Sequence, residues 1–246
     1  MKKCKIQLCL LGYQRFQDEI DKLSHYPSKL FEVSNCIIIK QLPDSDLCWG
    51  YSDLAITNLL KEKKVNNDKY DLCICFIDAP IENNYFSRDL SKFDNKTILC
   101  SFYQVHSIFK ENNIDVFNYV HGTVLNRVVQ IETLGEINEN YYVHKDTRKC
   151  LYDMCGLKSD IALKYSEPKL CADCISKISS SAVDKDFISA LEKEFNTFKK
   201  PLFDRIVEFV KKNPQLSIII TIVSTIIINI LSSVIFEAIK WIISNI

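Results

Sequence analysis

Glycine is scarce in this sequence, with five residues among 246. Motifs that bind phosphate or hold a nucleophile on a sharp turn need glycine at fixed positions, because other residues hinder the turn or the close backbone approach. The chain contains no G-x-G-x-x-G, no G-x-x-x-x-G-K and no G-x-S-x-G. These absences exclude the common signatures of dinucleotide binding, P-loop nucleotide hydrolysis and serine hydrolysis.

Histidine is also scarce. The four histidines are His25, His106, His121 and His144, and no two of them are four residues apart. The zinc-peptidase motif H-E-x-x-H needs that spacing, since it places two metal ligands on adjacent turns of one helix. A zinc-peptidase site of this kind is therefore excluded. A cysteine–histidine nucleophilic pair stays open, because such partners meet only in the fold.

Neither sign of charge is in excess, with 31 basic and 31 acidic residues. We therefore expect no direct nucleic-acid partner. The short apolar run 6–11 ends at Gly12 and is typical of a first strand, so we also expect no secretory signal. Eleven cysteines without an export signal favour a reducing compartment, where thiols bind metal or pack as small apolar groups.

One long apolar run stands near the end of the chain, at residues 216–236. It holds 21 residues without a charge, proline or glycine. A helix of that length crosses a hydrocarbon core of about 30 Å, so we predict a membrane-spanning helix; a buried core helix is the alternative. More basic residues precede the run than follow it, which places the rest of the chain in the cytoplasm and predicts a single-pass, tail-anchored protein of the cell membrane. The basic residues before the run are Lys199, Lys200, Arg205, Lys211 and Lys212, and Lys240 follows it.

Polar residues recur along this segment at spacings of three and four, which places them on one winding helical strip. The strip consists of Ser217, Thr221, Thr225, Asn229, Ser233, Glu237 and Lys240. In lipid, such residues bond across a helix interface, so the strip predicts a homo-oligomer within the membrane. The alternative is that each hydroxyl bonds its own backbone one turn earlier.

The soluble part shows short strand-like runs at residues 5–11, 36–39, 71–77 and 96–102. Two of them are apolar on both faces, which predicts α/β layers: a small mixed sheet covered by helices. Helices are predicted at 16–24, 51–64 and 113–134, with Gly135 as the cap of the last. We expect Cys73, Cys75 and Cys100 to pack in the sheet and His121 to be structural.

The most specific pattern is a C-x4-C followed, after 15 residues, by a C-x2-C. Its members are Cys150, Cys155, Cys171 and Cys174. Four paired thiols in a reducing compartment predict a closed, structural zinc site, with two disulfides or free core thiols as alternatives. His144, six residues before Cys150, could replace one thiol as a metal ligand. It could instead hydrogen-bond one of the ligands without binding the metal itself.

Residues 144–177 resemble the second zinc site of the archaemetzincin-type metallopeptidases, where a C-x4-C and a later C-x2-C follow the catalytic helix. The likeness extends over residues 1–177, but only the four cysteines are specific to it. Those peptidases carry H-E-x-x-H-x-x-G-x-x-H, which this chain lacks. The resemblance therefore implies a relative that keeps the scaffold zinc and performs no peptidase chemistry.

A charged group surrounds the cysteines and predicts either a polar pocket or an ordinary solvated surface. It consists of His144, Asp146, Arg148, Asp153, Lys158 and Asp160.

The sequence therefore predicts three parts: a zinc-binding α/β domain at 1–177, a helical stalk at 178–214 and the membrane helix at 215–246. This layout is similar to that of membrane-disrupting effectors of prokaryotic antiviral defence, whose soluble domain would receive a cytoplasmic activating protein or signal. One alternative is a membrane-anchored metallopeptidase-like hydrolase, or another hydrolase, with an unorthodox site around His121, His144 and Asp146. The other is an adaptor that holds a partner at the bilayer.

Overall fold

The computed structural model describes residues 2–65, 67–145 and 149–244. Asp146 and Arg148, two members of the predicted charged group, lie outside these ranges. The chain forms two compact units, Met1–Lys199 and Lys200–Ile246. We call them the head and the tail.

The head is built on a five-stranded sheet in the order β2-β1-β3-β5-β4. Its strands are β1 (Cys4–Leu11), β2 (Phe31–Ile39), β3 (Leu72–Ile77), β4 (Ser87–Asp89) and β5 (Thr97–Ser101). The first three pairs are parallel, and β4 runs antiparallel to β5 at one edge. The sheet is therefore mixed, as predicted.

Apolar side chains cover both faces of the central strands. Ile6, Leu8 and Leu10 of β1 face one core, whereas Cys9 and Leu11 face the other, as the two-residue period of a strand requires. Cys73, Cys75 and Cys100 are fully buried within β3 and β5, as expected of thiols that pack in a sheet. The predicted α/β layering is confirmed.

Helices lie against both faces of the sheet. Those of the head are α1 (Gln17–Ser24), α2 (Asp53–Glu62), α3 (Val105–Glu111), α4 (Val116–Leu134), α5 (Glu139–Tyr142), α6 (Ile161–Ser166), α7 (Ala172–Ser179) and α8 (Phe187–Phe195). Helix α2 supplies the smaller core, and α1 and α4 belong to the larger one. The predicted helices at 16–24, 51–64 and 113–134 correspond to α1, α2 and α4.

Helix α4 is the central helix of the head, and its residues 118–130 are buried on every side. The Asp115 side chain accepts a hydrogen bond from the Phe117 N–H at its start. At its end Gly135 has φ +74° and its N–H bonds the Ile131 carbonyl, as predicted for a glycine cap. Gly122 lets the neighbouring segment approach closely, since a Cβ there would lie 2.4 Å from the Tyr165 ring.

His121 is buried on α4 and contacts Glu194 of α8. Its Nε2 lies 3.2 Å from Glu194 Oε2, and the Ser28 hydroxyl donates to the other carboxylate oxygen at 2.6 Å. The imidazole also stacks on Phe198, with ring centroids 5.1 Å apart. These contacts show the structural role expected for His121. They also fix residues 187–198, from the segment assigned to the stalk, in the core of the head.

The tail consists of α9 (Leu202–Lys212) and α10 (Pro214–Ser244). Within the described part of the chain, α10 is the one helix long and apolar enough to cross a membrane. Four hydroxyls of the polar strip donate to the backbone carbonyl one turn earlier. They belong to Ser217, Thr221, Thr225 and Ser233. This is the arrangement named above as the alternative to bonds between helices.

We predict that Glu194→Ala lowers the free energy of unfolding of the head by about 3 kcal/mol, since it leaves His121 and Ser28 without their buried partner. Urea unfolding of the full chain in mild detergent, followed by circular dichroism, measures the change. Glu192→Ala, on the exposed side of the same helix, is the matched control and should change the value by less than about 0.5 kcal/mol. Equal effects of the two variants would contradict the prediction.

The same contact predicts a pH dependence. Burial alone would raise the pKa of Glu194, but the neighbouring His121 ring and Ser28 hydroxyl outweigh burial and hold that pKa below its ordinary value. A lowered folded-state pKa stabilises the fold fully above the pKa of an unfolded glutamate, about 4.3. The difference between the wild type and Glu194→Ala should therefore be constant at neutral pH and shrink as pH falls through the lowered pKa.

Candidate metal centre

Three short backbone segments lie side by side in the cysteine-containing region. The Met154 N–H donates to the His144 carbonyl at 2.9 Å, and the Leu151 N–H donates to the Lys169 carbonyl at 2.8 Å. The Asp153 side chain closes the turn between Cys150 and Cys155 by accepting the Cys150 N–H at 2.9 Å. This pairing places His144 beside the first cysteine.

The second pair of cysteines lies at the start of α7. Cys171 is the residue before the first turn of the helix, and Cys174 is buried within that turn. The N-terminus of a helix carries partial positive charge, which favours thiolates. A C-x2-C at this place therefore presents two sulfurs in a favourable field.

Four ligand atoms meet in this region, from His144, Cys150, Cys171 and Cys174, and all lie within 4.8 Å of one another. The Cys150 and Cys174 sulfurs are 3.8 Å apart, and Cys171 Sγ is 3.4 Å from His144 Nε2. Tetrahedral zinc with typical bond lengths separates two sulfurs by about 3.8 Å and a sulfur from a nitrogen by about 3.5 Å. The measured separations match these values, so the group fits a zinc ion.

The imidazole of His144 is oriented for metal binding. Its Nδ1 lies 2.7 Å from the Lys145 carbonyl oxygen, which can only accept, and 3.5 Å from Asp153 Oδ1. Nδ1 therefore carries the proton, and Nε2 presents its lone pair to the cysteines. A carbonyl or carboxylate behind a histidine commonly fixes the tautomer that binds zinc.

Electrostatics at the centre favour a thiolate. The contact with Cys174, together with N–H groups of the backbone, outweighs burial and lowers the pKa of Cys150. The same contact raises the pKa of Cys174. Partial burial would lower the pKa of His144, but the Lys145 carbonyl and Cys150 raise it. A cation at the centre would complete this charge distribution.

Cys155, the fourth predicted ligand, lies outside this group. Its sulfur is 3.7 Å from the Asp153 carbonyl oxygen, and it lines a cavity beside the centre. The structure thus brings together three of the four predicted cysteines, with His144 at the place expected for Cys155. The predicted zinc cofactor has a site that could bind it, formed by three thiols and one imidazole.

The other charged residues near the cysteines point to separate places. Lys158 donates to the Asn84 side chain at 3.0 Å, and Asp160 accepts the Leu157 N–H at 2.8 Å. Asp153 alone among these three contacts the metal centre. Among the described residues, the charged group named from the sequence does not converge on one pocket.

No protein-family model and no curated protein matches this chain. Among solved structures, the chain is similar to archaemetzincin from Methanopyrus kandleri, with 15% identity over 71% of this chain and 94% of that one, at a TM-score of 0.46. It is also similar to archaemetzincin from Archaeoglobus fulgidus complexed with malonate, with 14% identity over 70% of this chain and 99% of that one, at a TM-score of 0.42.

We predict that the purified full chain holds one zinc ion. Changing Cys150, Cys171 or Cys174 to serine should remove it, and His144→Ala should weaken its binding by about tenfold or more, because each change deletes a ligand. Cys155→Ser should leave the zinc content unchanged. Inductively coupled plasma mass spectrometry after dialysis against a weak chelator measures each variant.

Replacement of zinc by cobalt(II) distinguishes two possible sets of ligands, the three cysteines with His144 and the four cysteines. This test does not depend on how tightly the metal is bound. The absorption spectrum of the cobalt(II) form should be the same for the wild type and Cys155→Ser. It should change in His144→Cys, since a fourth thiolate adds sulfur-to-metal charge transfer. Zinc loss in Cys155→Ser with retention in His144→Ala would instead favour the four-cysteine set.

Proposed function

We propose that this chain is a non-catalytic, tail-anchored zinc protein whose helix α10 self-associates in the cell membrane and permeabilises it on activation of the cytoplasmic head. The observation that carries the proposal is α10 itself, an apolar helix of 31 residues with one polar strip. The proposed setting is antiviral defence, on the likeness of layout described above.

The length and surface of α10 support membrane insertion. Thirty-one helical residues span about 46 Å, more than the roughly 30 Å of a hydrocarbon core. Among the side chains that the structure describes, large apolar ones are exposed from Leu216 to Ile243. Exposed apolar surface of this extent needs lipid or another protein to cover it.

The polar strip supports self-association, and Asn229 is its most informative member. The four hydroxyls that bond their own helix donate their protons locally, so these donors are satisfied in an isolated helix as well as in an associated one. The Asn229 amide has two donors and an acceptor, and within the described residues it has no side-chain hydrogen bond. A second copy of α10 would provide partners for that amide.

The geometry of the head supports a structural metal. All four atoms of the centre would serve as ligands of a bound zinc ion, which would leave no open coordination position for water or substrate. The hydrolase alternative needs His121, His144 and Asp146 at one place. His121 instead lies in the core against Glu194 and Phe198, His144 faces the cysteines, and Asp146 is outside the described residues.

Membrane anchoring has a direct test. The full chain should stay with membranes after extraction at alkaline pH and dissolve only in detergent, whereas a chain ending at Lys212 should be released in soluble form. The physical reason is that contact between water and the extended apolar surface of α10 is unfavourable in free energy. A full-length chain that is soluble and monomeric without detergent would contradict the proposal.

Self-association is tested with Asn229→Leu. We expect the variant to weaken dimerisation by about 1 kcal/mol, roughly fivefold, because the amide loses its partner across the interface. Energy transfer between labelled chains in lipid vesicles measures it at several protein-to-lipid ratios. Ser233→Ala is the control on the same strip and should change little, since its hydroxyl bonds the Asn229 carbonyl of its own helix.

Membrane potential in expressing cells separates an effector from an adaptor. An effector should depolarise the membrane when activated; an unrelated leucine-rich span should abolish the effect, and Asn229→Leu should weaken it. An adaptor should keep its function with the unrelated span.

A further inference from the structure

The tail carries an amphipathic helix directly before α10. Helix α9 has eleven residues, and at about 3.6 residues per turn its apolar and polar side chains separate onto opposite faces. The apolar face covers an arc of about 120° and consists of Leu202, Phe203, Ile206, Phe209 and Val210. The polar face consists of Asp204, Arg205, Glu208, Lys211 and Lys212.

The apolar face of α9 is exposed. Each of its five residues is at least 41% exposed, and Phe203 reaches 73%. A continuous apolar face on a short helix is unfavourable in water, so it needs another apolar surface to cover it. Helices that combine phenylalanine and leucine on one face with lysine and arginine on the other are typical of segments that lie in the interface of a bilayer.

The place of α9 in the chain favours a bilayer as the covering surface. The helix ends at Lys212, Asn213 has non-helical angles (φ −133°, ψ 61°), and α10 begins at Pro214. If α10 enters the membrane as proposed above, the end of α9 lies at the boundary between water and lipid. Eleven helical residues measure about 16 Å, so all of α9 stays within that distance of the entry point. The break at Asn213 allows α9 to run in a different direction from α10 and to lie along the surface.

The charge of the polar face agrees with this position. Glu208 pairs with Lys200 at 2.6 Å. Arg205, Lys211 and Lys212 have no ion pair within the described part of the chain. The other carboxylate of α9, Asp204, offsets one of these three cations. The polar face therefore has an excess of positive charge, which the headgroups of anionic lipids attract.

We propose that α9 lies along the surface of the bilayer, with its apolar face among the acyl chains and its basic residues at the phosphates of anionic lipids. This inference rests on the insertion of α10 proposed above and adds a second membrane contact to it. A helix of this kind sinks its apolar face about 5–10 Å into the boundary between headgroups and acyl chains. The tail then contacts lipid along two helices, of which α10 alone crosses the bilayer.

Photochemical crosslinking of the full chain tests the inference. The chain is placed in vesicles of phosphatidylcholine mixed with phosphatidylglycerol, whose acyl chains carry an affinity tag. The photoreactive residue p-benzoylphenylalanine, in place of Phe203, should form a covalent adduct with lipid on illumination. In place of Arg205 on the polar face, it is the matched control and should give several-fold less lipid adduct. In place of Ile228, which is exposed in the middle of α10, it reports on the span itself.

The three positions separate this inference from the proposed function. Lipid adducts at 228 and 203 would support both. Lipid adducts at 228 with none at 203 would overturn the position of α9 and leave the insertion of α10 intact, whereas their absence at both positions would overturn the insertion as well. Adducts from 203 to a second copy of the chain, or to the head, would assign the apolar face of α9 to protein and overturn the inference.

A charge variant tests the contact with anionic headgroups. Lys211→Gln combined with Lys212→Gln should lower the lipid adduct from position 203 about fivefold or more, because each lysine removed weakens the attraction to phosphatidylglycerol. Glutamine retains a high helix propensity, so α9 itself should persist. Lys185→Gln combined with Lys193→Gln, two exposed lysines of the head, is the charge-matched control and should label like the wild type. Equal labelling of the two double variants would overturn the assignment to anionic headgroups.

Discussion

Burial of helix α4 on all sides is the constraint on which the head depends, because each polar group on it must find a partner inside the protein. The Asn118 amide donates to the carbonyls of Tyr165 and Lys199, and the Asn126 amide donates to the Leu151 carbonyl. The Tyr152 hydroxyl donates back to the Asn126 carbonyl. One helix thereby fixes the cysteine segment, helix α6 and the end of the head, and so positions both the metal centre and the cavity beside it.

The parts of the fold that the sequence predicts are those with strong local signals. Strands β3 and β5 are apolar on both faces, β1 is largely apolar, and α4 combines a broad apolar face with a glycine cap. The first half of β2 was not predicted, because this strand lies at the edge of the sheet and mixes polar with apolar residues. The strand preference of a residue depends on whether it lies in an edge or a central strand, so an edge strand of mixed composition is difficult to recognise from its sequence.

The metal centre was predictable in kind but not in its full set of ligands. Sequence spacing identifies the two cysteine pairs, since each is local. The place of His144 depends on backbone pairing with residues 152–154, which spacing does not show. The burial of Lys164 carries still less signal: lysine on a short helix usually lies in solvent, and here its ammonium lies over the Phe86 ring. Contacts between distant segments decide both cases.

The hydroxyls along α10 have a consequence for how such a helix behaves in lipid. Because Ser217, Thr221, Thr225 and Ser233 already donate to their own backbone, a solitary copy would suffer little penalty from these four groups, and pairing would gain little from them. Under the proposed function, the balance between single and clustered copies would then rest on a few side chains and on the number of molecules per membrane area. A segment of this type can be kept dispersed at low abundance and respond steeply to local crowding.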